Sequence, residues 1–524
     1  MSLSHCRRDL SPASIPTAQI PDHNDRKAIQ LAISALTTVY ACALQRKLDE
    51  HSDLKGLWAD IWQWIKFLDS HCGTEGAYIN KLRSMASPGE DLQAVSLKII
   101  PLIILNLCVI GNLRNAIVTT PGILTMLTRR WVDNDSEVEP GPRRDPNWAR
   151  ALNFMLLGDE RGSKDALEEI ASAANGAKTV ARTALSHLRP FIGLRPVNYA
   201  AISPHICLID AFSSSIVSTL RSAMLSQRSL PTLIETLNFI NTDHSSLPYD
   251  ELLYQSKSIT ACYAGIIQAL ESANGPIWVS QALDAGMLPV ILKSGVRLPQ
   301  LLESVQATIC EKMFKILHQY LPYRSVLRSV ANALRKVDCL GLREEDVGLL
   351  WGPWKEHEGA ARLKLELKEV YDLRNAAMGT VMQGCMNLKC SVRSDKNDLL
   401  RCSSCLLVLY CQKSCQTQDW PEHRQHCKEA EKRLRDGLTM PLHMNDRQFI
   451  DFQSSGDFFR HRHIVDEIKA HWPTPEEEPL CVEVDYLAVP PRVLVQPVWD
   501  FSWPPGYHTA ETERYLRTAK QEYE

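Results

Sequence analysis

The sequence predicts a mainly α-helical chain with a small metal-held module near its C-terminal end and a short mixed tail after it. Three observations lead there. Before residue 370, apolar residues recur at steps of three and four, the spacing of one helix face. Seven of the 16 cysteines fall between residues 385 and 427. Beyond them, CVEVDYLAVPPRVLV from Cys481 alternates apolar and charged residues and then passes a Pro-Pro turn, the pattern of a small hairpin.

At 524 residues the chain is long enough for roughly three ordinary domains, or fewer if part of it is a solenoid. With 45% apolar and 23% charged residues it has the composition of a globular protein. A net charge of −3 gives no global pull toward nucleic acid or anionic lipid. The opening MSLSHCRRDLSPASIP has no apolar core of the kind a secretory signal needs. The run IIPLIILNLCVIGN from Ile99 is too short to span a bilayer and is flanked by Lys98 and Arg114, so no membrane role is expected. It reads as a buried helix of an intracellular protein, in the nucleus or the cytoplasm. Such a compartment keeps thiols reduced, which argues against a disulfide framework. The isolated Cys6, Cys42, Cys72, Cys108, Cys207, Cys262, Cys310, Cys339 and Cys481 then read as small buried hydrophobes.

Residues 1–24 are polar with three prolines and are expected to be a disordered lead-in. Residues 25–370 read as helical. Ile33, Leu36, Tyr40, Leu44 and Leu48 share one face, as do Leu54, Trp58, Ile61, Ile65 and Leu68. Leu302, Val305, Ile309, Met313, Ile316 and Tyr320 form a third stripe after Pro299, which suits a first helical turn. PGILTML from Pro121 echoes AGMLPVI from Ala285, each a small residue, Gly and an apolar pair closing a helical stretch. Short Gly loops of this kind precede helices in armadillo/HEAT-like arrays, so stacked helix pairs are the expected architecture. VDNDSEVEPGPRRDP from Val132 reads as a surface loop.

The cysteine cluster carries the chemistry. A structural zinc site takes four soft donors held by short loops. Cys385, Cys390, Cys402, Cys405, Cys411, Cys415, His423 and Cys427 make eight, enough for two full sites. Cys411 and Cys415 are four residues apart, as are His423 and Cys427, so each pair can project from one face of a helical turn. Asp419 and Glu422 have the spacing of a capping box, and Pro421 suits a first turn, which predicts a short helix beginning near Trp420. His426 is adjacent to Cys427 and points about 100° away from it on a helix, which makes it a surface histidine. Phosphate-binding G-x-x-x-x-G-K and zinc-protease H-E-x-x-H strings are lacking.

The order C-x4-C, C-x2-C, Tyr-Cys, x3, Cys-Gln, x3, Trp, x2, His, x3, Cys over residues 385–427 resembles the MYND-type zinc finger. It includes that family's Tyr410, Gln416 and Trp420, although the opening is C-x4-C where many members have C-x2-C. The resemblance implies two structural Zn2+ ions in interleaved sites. Cys385, Cys390, Cys411 and Cys415 would hold one; Cys402, Cys405, His423 and Cys427 would hold the other. It also implies a shallow groove for proline-containing peptides of partner proteins, with Ser403, Gln416 and Trp420 at the contact positions and no small-molecule substrate. An indole packing on a proline ring beside an amide that bonds extended backbone fits such a role.

Some MYND fingers sit inside SET-domain lysine methyltransferases, whose Asn-His-Ser-Cys type motif lies downstream. None follows Cys427, TDHSS from Thr242 lies upstream without the Asn and Cys, and the 97 residues left are too few for that catalytic core. The expectation is therefore a non-enzyme. Direct nucleic-acid binding is disfavoured as well, since ten Lys or Arg face seven Asp or Glu between Cys385 and Gly437 and the helix carries ligands rather than base-reading side chains. The layout further resembles MYND proteins of fungi with a long helical N-terminal region, and the family is commonly associated with transcriptional regulation. Residues 428–524 are expected to continue as a helix to Gly437, then a small hairpin, with a helical or frayed end.

Overall fold

The computed structural model describes residues 3–497 apart from 18, 46–53, 74–75, 86–90, 134–145, 157–163, 215, 243–246, 273–274, 378–382, 388, 395–398, 406–407, 436–443, 472–479 and 487–491. The loop from Val132, the TDHSS stretch, the helix stop at Gly437, the Pro-Pro turn and the last twenty residues fall largely or wholly outside them. The chain divides into two compact units, Met1–Ala273 and Asn274–Glu524.

Among its described residues, the regular elements of the first unit are all helices. The expected disordered lead-in instead begins with helix Leu3–Asp9, which packs against helix His23–Leu44 and buries Cys6 and Leu10 completely. Its two apolar anchors outweigh the polar composition around them. Asp22 starts the next helix: its carboxylate accepts the N–H groups of Asn24 and Asp25 at 2.7 and 2.9 Å, and Asp25 returns a bond to the N–H of Asp22, closing a capping box. Helix His23–Leu44 is the one described segment with the length and hydropathy of a membrane span. It buries Ile29, Ala32, Ile33, Ala35, Leu36 and Val39 inside the unit and packs on helix Leu92–Cys108. Of the expected face, Ile33 and Leu36 are buried and Tyr40 is half-buried, whereas Leu44 is exposed and Leu48 lies outside the described residues.

Trp58, Ile61, Ile65 and Leu68 are buried as their spacing predicts, and so are Ile99, Ile100, Ile103, Ile104 and Leu107 of the apolar run. Deeper in the unit, helix Tyr199–Ser213 packs along helix Tyr249–Ser272. Gly265 permits that approach, because a Cβ there would lie 2.9 Å from Leu233 Cδ1 and 3.5 Å from Asp210 Cα.

The second unit opens with helices Pro276–Asp284, Met287–Ser294, Glu303–Gln319, Arg324–Asp338 and Trp351–Ala377. Pro299 does not start the Glu303 helix. It closes a separate 3-10 turn, Gly295–Gln300, and Leu302 is the exposed N-cap, while Ile309, Met313 and Ile316 are buried as expected. The glycines of the sequence echo are conformationally alike, with φ of +82° at Gly122 and +90° at Gly286, each just ahead of a helix.

Four two-residue strands follow: β1 (Gln383–Gly384), β2 (Arg393–Ser394), β3 (Leu400–Arg401) and β4 (Leu409–Tyr410), paired β1–β2 and β3–β4. Helix Lys413–Arg435 completes this module. Helices Met444–Arg460 and Arg462–Ala470 come next, then an antiparallel hairpin of β5 (Leu480–Asp485) and β6 (Arg492–Pro497) with Val482 opposite Val495, as the alternation predicts.

The extension after the module packs back onto the helices before it. Asp446, buried, accepts the N–H and hydroxyl of Ser325 at 2.7 and 2.9 Å, so its carboxylate caps the N-terminus of helix Arg324–Asp338 where the helix dipole favours negative charge. Gln453 donates to the carbonyl of Pro322 at 2.8 Å, and Tyr371 stacks its edge on Phe449. The cysteine-rich module is therefore inserted between two parts of one helical body, where a helical region and a separate extension were expected.

Candidate metal centre

Each short hairpin carries two cysteines at its turn. In the first, the N–H of Cys385 donates to the carbonyl of Val392 at 3.0 Å, and the N–H of Cys390 donates to the carbonyl of Asn387 at 2.8 Å. Asn387 is buried; its amide oxygen accepts the N–H of Lys389 and its amide nitrogen reaches Gln418 at 3.1 Å. In the second, the N–H of Cys402 donates to the carbonyl of Val408 at 3.0 Å and turns the chain so that Cys402 and Cys405 point the same way. The two hairpins are joined by the N–H of Met386, which donates to the carbonyl of Leu409 at 2.9 Å.

The expected short helix near Trp420 is longer: it starts at Lys413 and carries Cys415, His423 and Cys427, with Cys411 just before it. Asp419 is not its cap. Its carboxylate accepts the hydroxyl of the fully buried Tyr410 at 2.7 Å, which fastens the helix to β4. Pro421 lies inside the helix and deprives one carbonyl of its donor. Ligands on both sides of it, each belonging to a different donor set, hold the two halves in place.

Eight donor atoms converge into two sets: Cys385, Cys390, Cys411 and Cys415, and Cys402, Cys405, His423 and Cys427. Within each set the atoms lie within 4.8 Å of one another. Sulfur–sulfur distances are 3.7 Å for Cys390–Cys411, 3.5 Å for Cys411–Cys415 and 3.7 Å for Cys402–Cys427, and Cys405 Sγ is 3.5 Å from His423 Nε2. A tetrahedron with Zn–S of about 2.3 Å and Zn–N of about 2.0 Å has edges of roughly 3.8 and 3.5 Å. These are therefore zinc-sized cages and not disulfides; all seven thiols are free.

The MYND finger family matches residues 385–427. The chain carries a MYND-type zinc finger. No curated protein and no solved structure matches the chain.

The donor sets fit two structural Zn2+ ions. Both cages are closed by four protein ligands, and seven of the eight are sulfur. Backbone donors lower one thiol in each set, Cys402 and Cys390. Burial raises Cys402, but the N–H groups of Cys405 and Ser404 and the His423 ring outweigh it and bring the thiol down to about 6. The N–H of Val392 lowers Cys390. Such donors stabilise the thiolate that binds metal. The MYND finger crosses its pairs, so the first hairpin shares a metal with the start of the helix and the second with its middle, tying three loose segments into one unit.

Every ligand expected from the sequence is in place, Cys390 included, and His426 is exposed outside both sets. Ser403 is exposed on the second turn, Gln416 is half-buried and Trp420 is 38% exposed one helical turn later, on the face that Gln416 shares. The Trp420 ring stands edge-on to His423 at 6.0 Å. Sequence reasoning missed Asn387 and the Tyr410–Asp419 bond. An Asn inside a C-x4-C loop was the available signal, since Asn bonds its own backbone two residues on.

Among the described residues, Cys6, Cys72, Cys108 and Cys262 are buried as expected of isolated cysteines, Cys42, Cys207 and Cys481 are half-buried, and Cys339 is exposed just past helix Arg324–Asp338.

Proposed function

We propose that the MYND finger is a protein-contact module that binds short proline-containing peptides of partner proteins through Ser403, Gln416 and Trp420, and that the protein works by contact and not catalysis. The observation that carries this reading is Trp420, a large aromatic left more than a third exposed on a metal-fixed helix. An indole needed only to anchor the helix would be buried, and one held rigid beside a solvent face offers apolar area at little entropy cost. Two closed four-ligand cages support the non-catalytic reading, since they reserve no coordination position for activated water. Free thiols among the described residues suit an intracellular setting, nuclear or cytoplasmic, with a role in transcriptional regulation as the family's common association. The glycine-led helix starts at Gly122 and Gly286 support stacked armadillo/HEAT-like pairs, in a layout like that of the fungal proteins.

Fluorescence anisotropy with a labelled proline-rich peptide tests it on the zinc-loaded full chain. Trp420→Ala is expected to weaken binding at least about tenfold, the loss of one aromatic hot spot, with two zinc ions retained. Equal binding by both proteins rejects the groove. Methyl transfer from a labelled donor to lysine substrates rejects the non-enzyme reading.

A further inference from the structure

Between helices Arg324–Asp338 and Trp351–Ala377 lies an open groove of about 960 Å3. Its apolar lining comes from Leu327, Ala331, Leu365 and Leu373, of which Leu327 is buried, Ala331 and Leu365 are half-buried and Leu373 is exposed. Its walls are mostly cationic: Arg324, Arg328 and Arg335 from one helix and Lys368 from the other, against Glu369 and Asp372. Two positive charges are in excess there, in a chain whose net charge is −3.

The charges are unequally committed. Asp372 takes both Arg324 at 2.8 Å and Lys368 at 2.6 Å, and is held below the usual carboxylate range by those two partners in spite of its burial. Arg335 donates to the neutral amide of Asn332 and has no ion pair among the described residues. Arg328 is exposed and has no ion pair among the described residues. Arg328 and Arg335 are seven residues apart, two helical turns, so their guanidinium stems rise about 10 Å apart along one face. That separation matches carboxylates two turns apart on a partner helix.

We infer that this groove docks an acidic amphipathic peptide segment of another protein, its carboxylates on Arg328 and Arg335 and its apolar side chains on Leu365 and Leu373. Charge complementarity with the arginine wall selects the occupant. A nucleic acid would set its phosphates against Glu369 and Asp372 and gain nothing from Leu365 and Leu373. A second copy of this chain docked about a two-fold axis would bring the same arginines toward one another. Arginine suits the role because its planar fork grips a carboxylate bidentately.

The test uses full-length zinc-loaded protein and a labelled peptide of Leu, Ala and Glu with glutamates seven residues apart, beside its Gln counterpart. The Glu peptide is expected to bind, more weakly as salt rises, with the Gln peptide at least about tenfold weaker. Arg328→Glu with Arg335→Glu is expected to weaken the Glu peptide at least about tenfold, with circular dichroism and zinc content unchanged. If that double variant misfolds, Arg328→Gln supplies a milder loss of the same contact. Equal binding of the two peptides, unchanged binding by the folded variant, or an oligonucleotide that displaces the peptide would overturn the inference. So would self-association of the chain that the double variant abolishes.

Discussion

The MYND finger and the helical units bury different chemistry. The finger's core consists of Cys385, Cys402, Cys405, Tyr410, Cys415, Cys427 and Ala430, so most of what is buried is metal ligand. The helical units bury aliphatic side chains such as Ile100, Ile103, Leu208, Ile209, Leu288 and Ile291. A core of ligands is specified by residue identity and spacing and depends on an external ion. An aliphatic core is specified only by periodicity, tolerates exchange among similar residues and carries its stability within the chain.

Zinc removal gives the largest contrast. Metal binding supplies on the order of 10 kcal/mol per structural site, so two sites together outweigh what a core of seven buried residues, five of them cysteines, supplies by burial. Chelation is expected to abolish amide hydrogen-exchange protection through residues 383–435 while helices His23–Leu44 and Tyr199–Ser213 stay protected. Cys411→Ser should lower the metal content below two ions per chain. Loss of protection throughout, or two ions retained in the variant, would break the distinction between the regions.

Acid should separate them by a second route. His357 is buried beside Phe314, Trp354 and His318, with ring centroids at 5.6, 6.2 and 6.3 Å, and its Nδ1 has no hydrogen-bond partner among the described residues. Burial, and then the neighbouring His318, press its pKa from 6.5 down to about 3. Below pH 6.5 the unfolded chain takes a proton that the folded one refuses, so stability falls as pH falls, over the window from 6.5 to about 3. The slope is about 1.4 kcal/mol per pH unit, or roughly 2 kcal/mol by pH 5. His318 titrates low for the same reason of burial, opposed by Glu356, and adds to the trend. His357→Phe keeps the aromatic packing and is expected to flatten the loss in helix Trp351–Ala377, read by hydrogen exchange at pH 7 and 5 after correction for intrinsic rates. An unchanged pH response in that variant would remove His357 as the cause.

The same division explains what could be read in advance. All eight ligands were legible because thiols and imidazoles at fixed intervals have few other uses. The β5–β6 hairpin and the Trp58–Leu68 face were legible from period alone. Asp419 was misread because one carboxylate can cap a helix or accept a hydroxyl, and only the approach of Tyr410 in space decides between them. The insertion of the finger was hidden for a related reason. Asp446 and Ser325 are 121 residues apart, and nothing local marks a carboxylate that caps a helix on the other side of an inserted module. The lead-in helix was hidden because its two anchors, Cys6 and Leu10, are too few to stand out from polar neighbours.

The smallest expected effect bears on whether the helical units repeat a pattern at all. Gly122 and Gly286 have φ of +82° and +90°, and a Cβ added at either would meet no atom within 4 Å. With crowding absent at both sites, alanine there costs only the left-handed backbone, about 1 kcal/mol. Gly122→Ala and Gly286→Ala should therefore destabilise by equal amounts, each seen as faster exchange in the helix that follows, Ile123–Asp133 or Met287–Ser294. Equal small losses are what one shared helix-start device would give at both sites. A loss of several kcal/mol at one site and none at the other would mean that the two glycines answer to different surroundings, and that the sequence echo between Pro121 and Ala285 is coincidence.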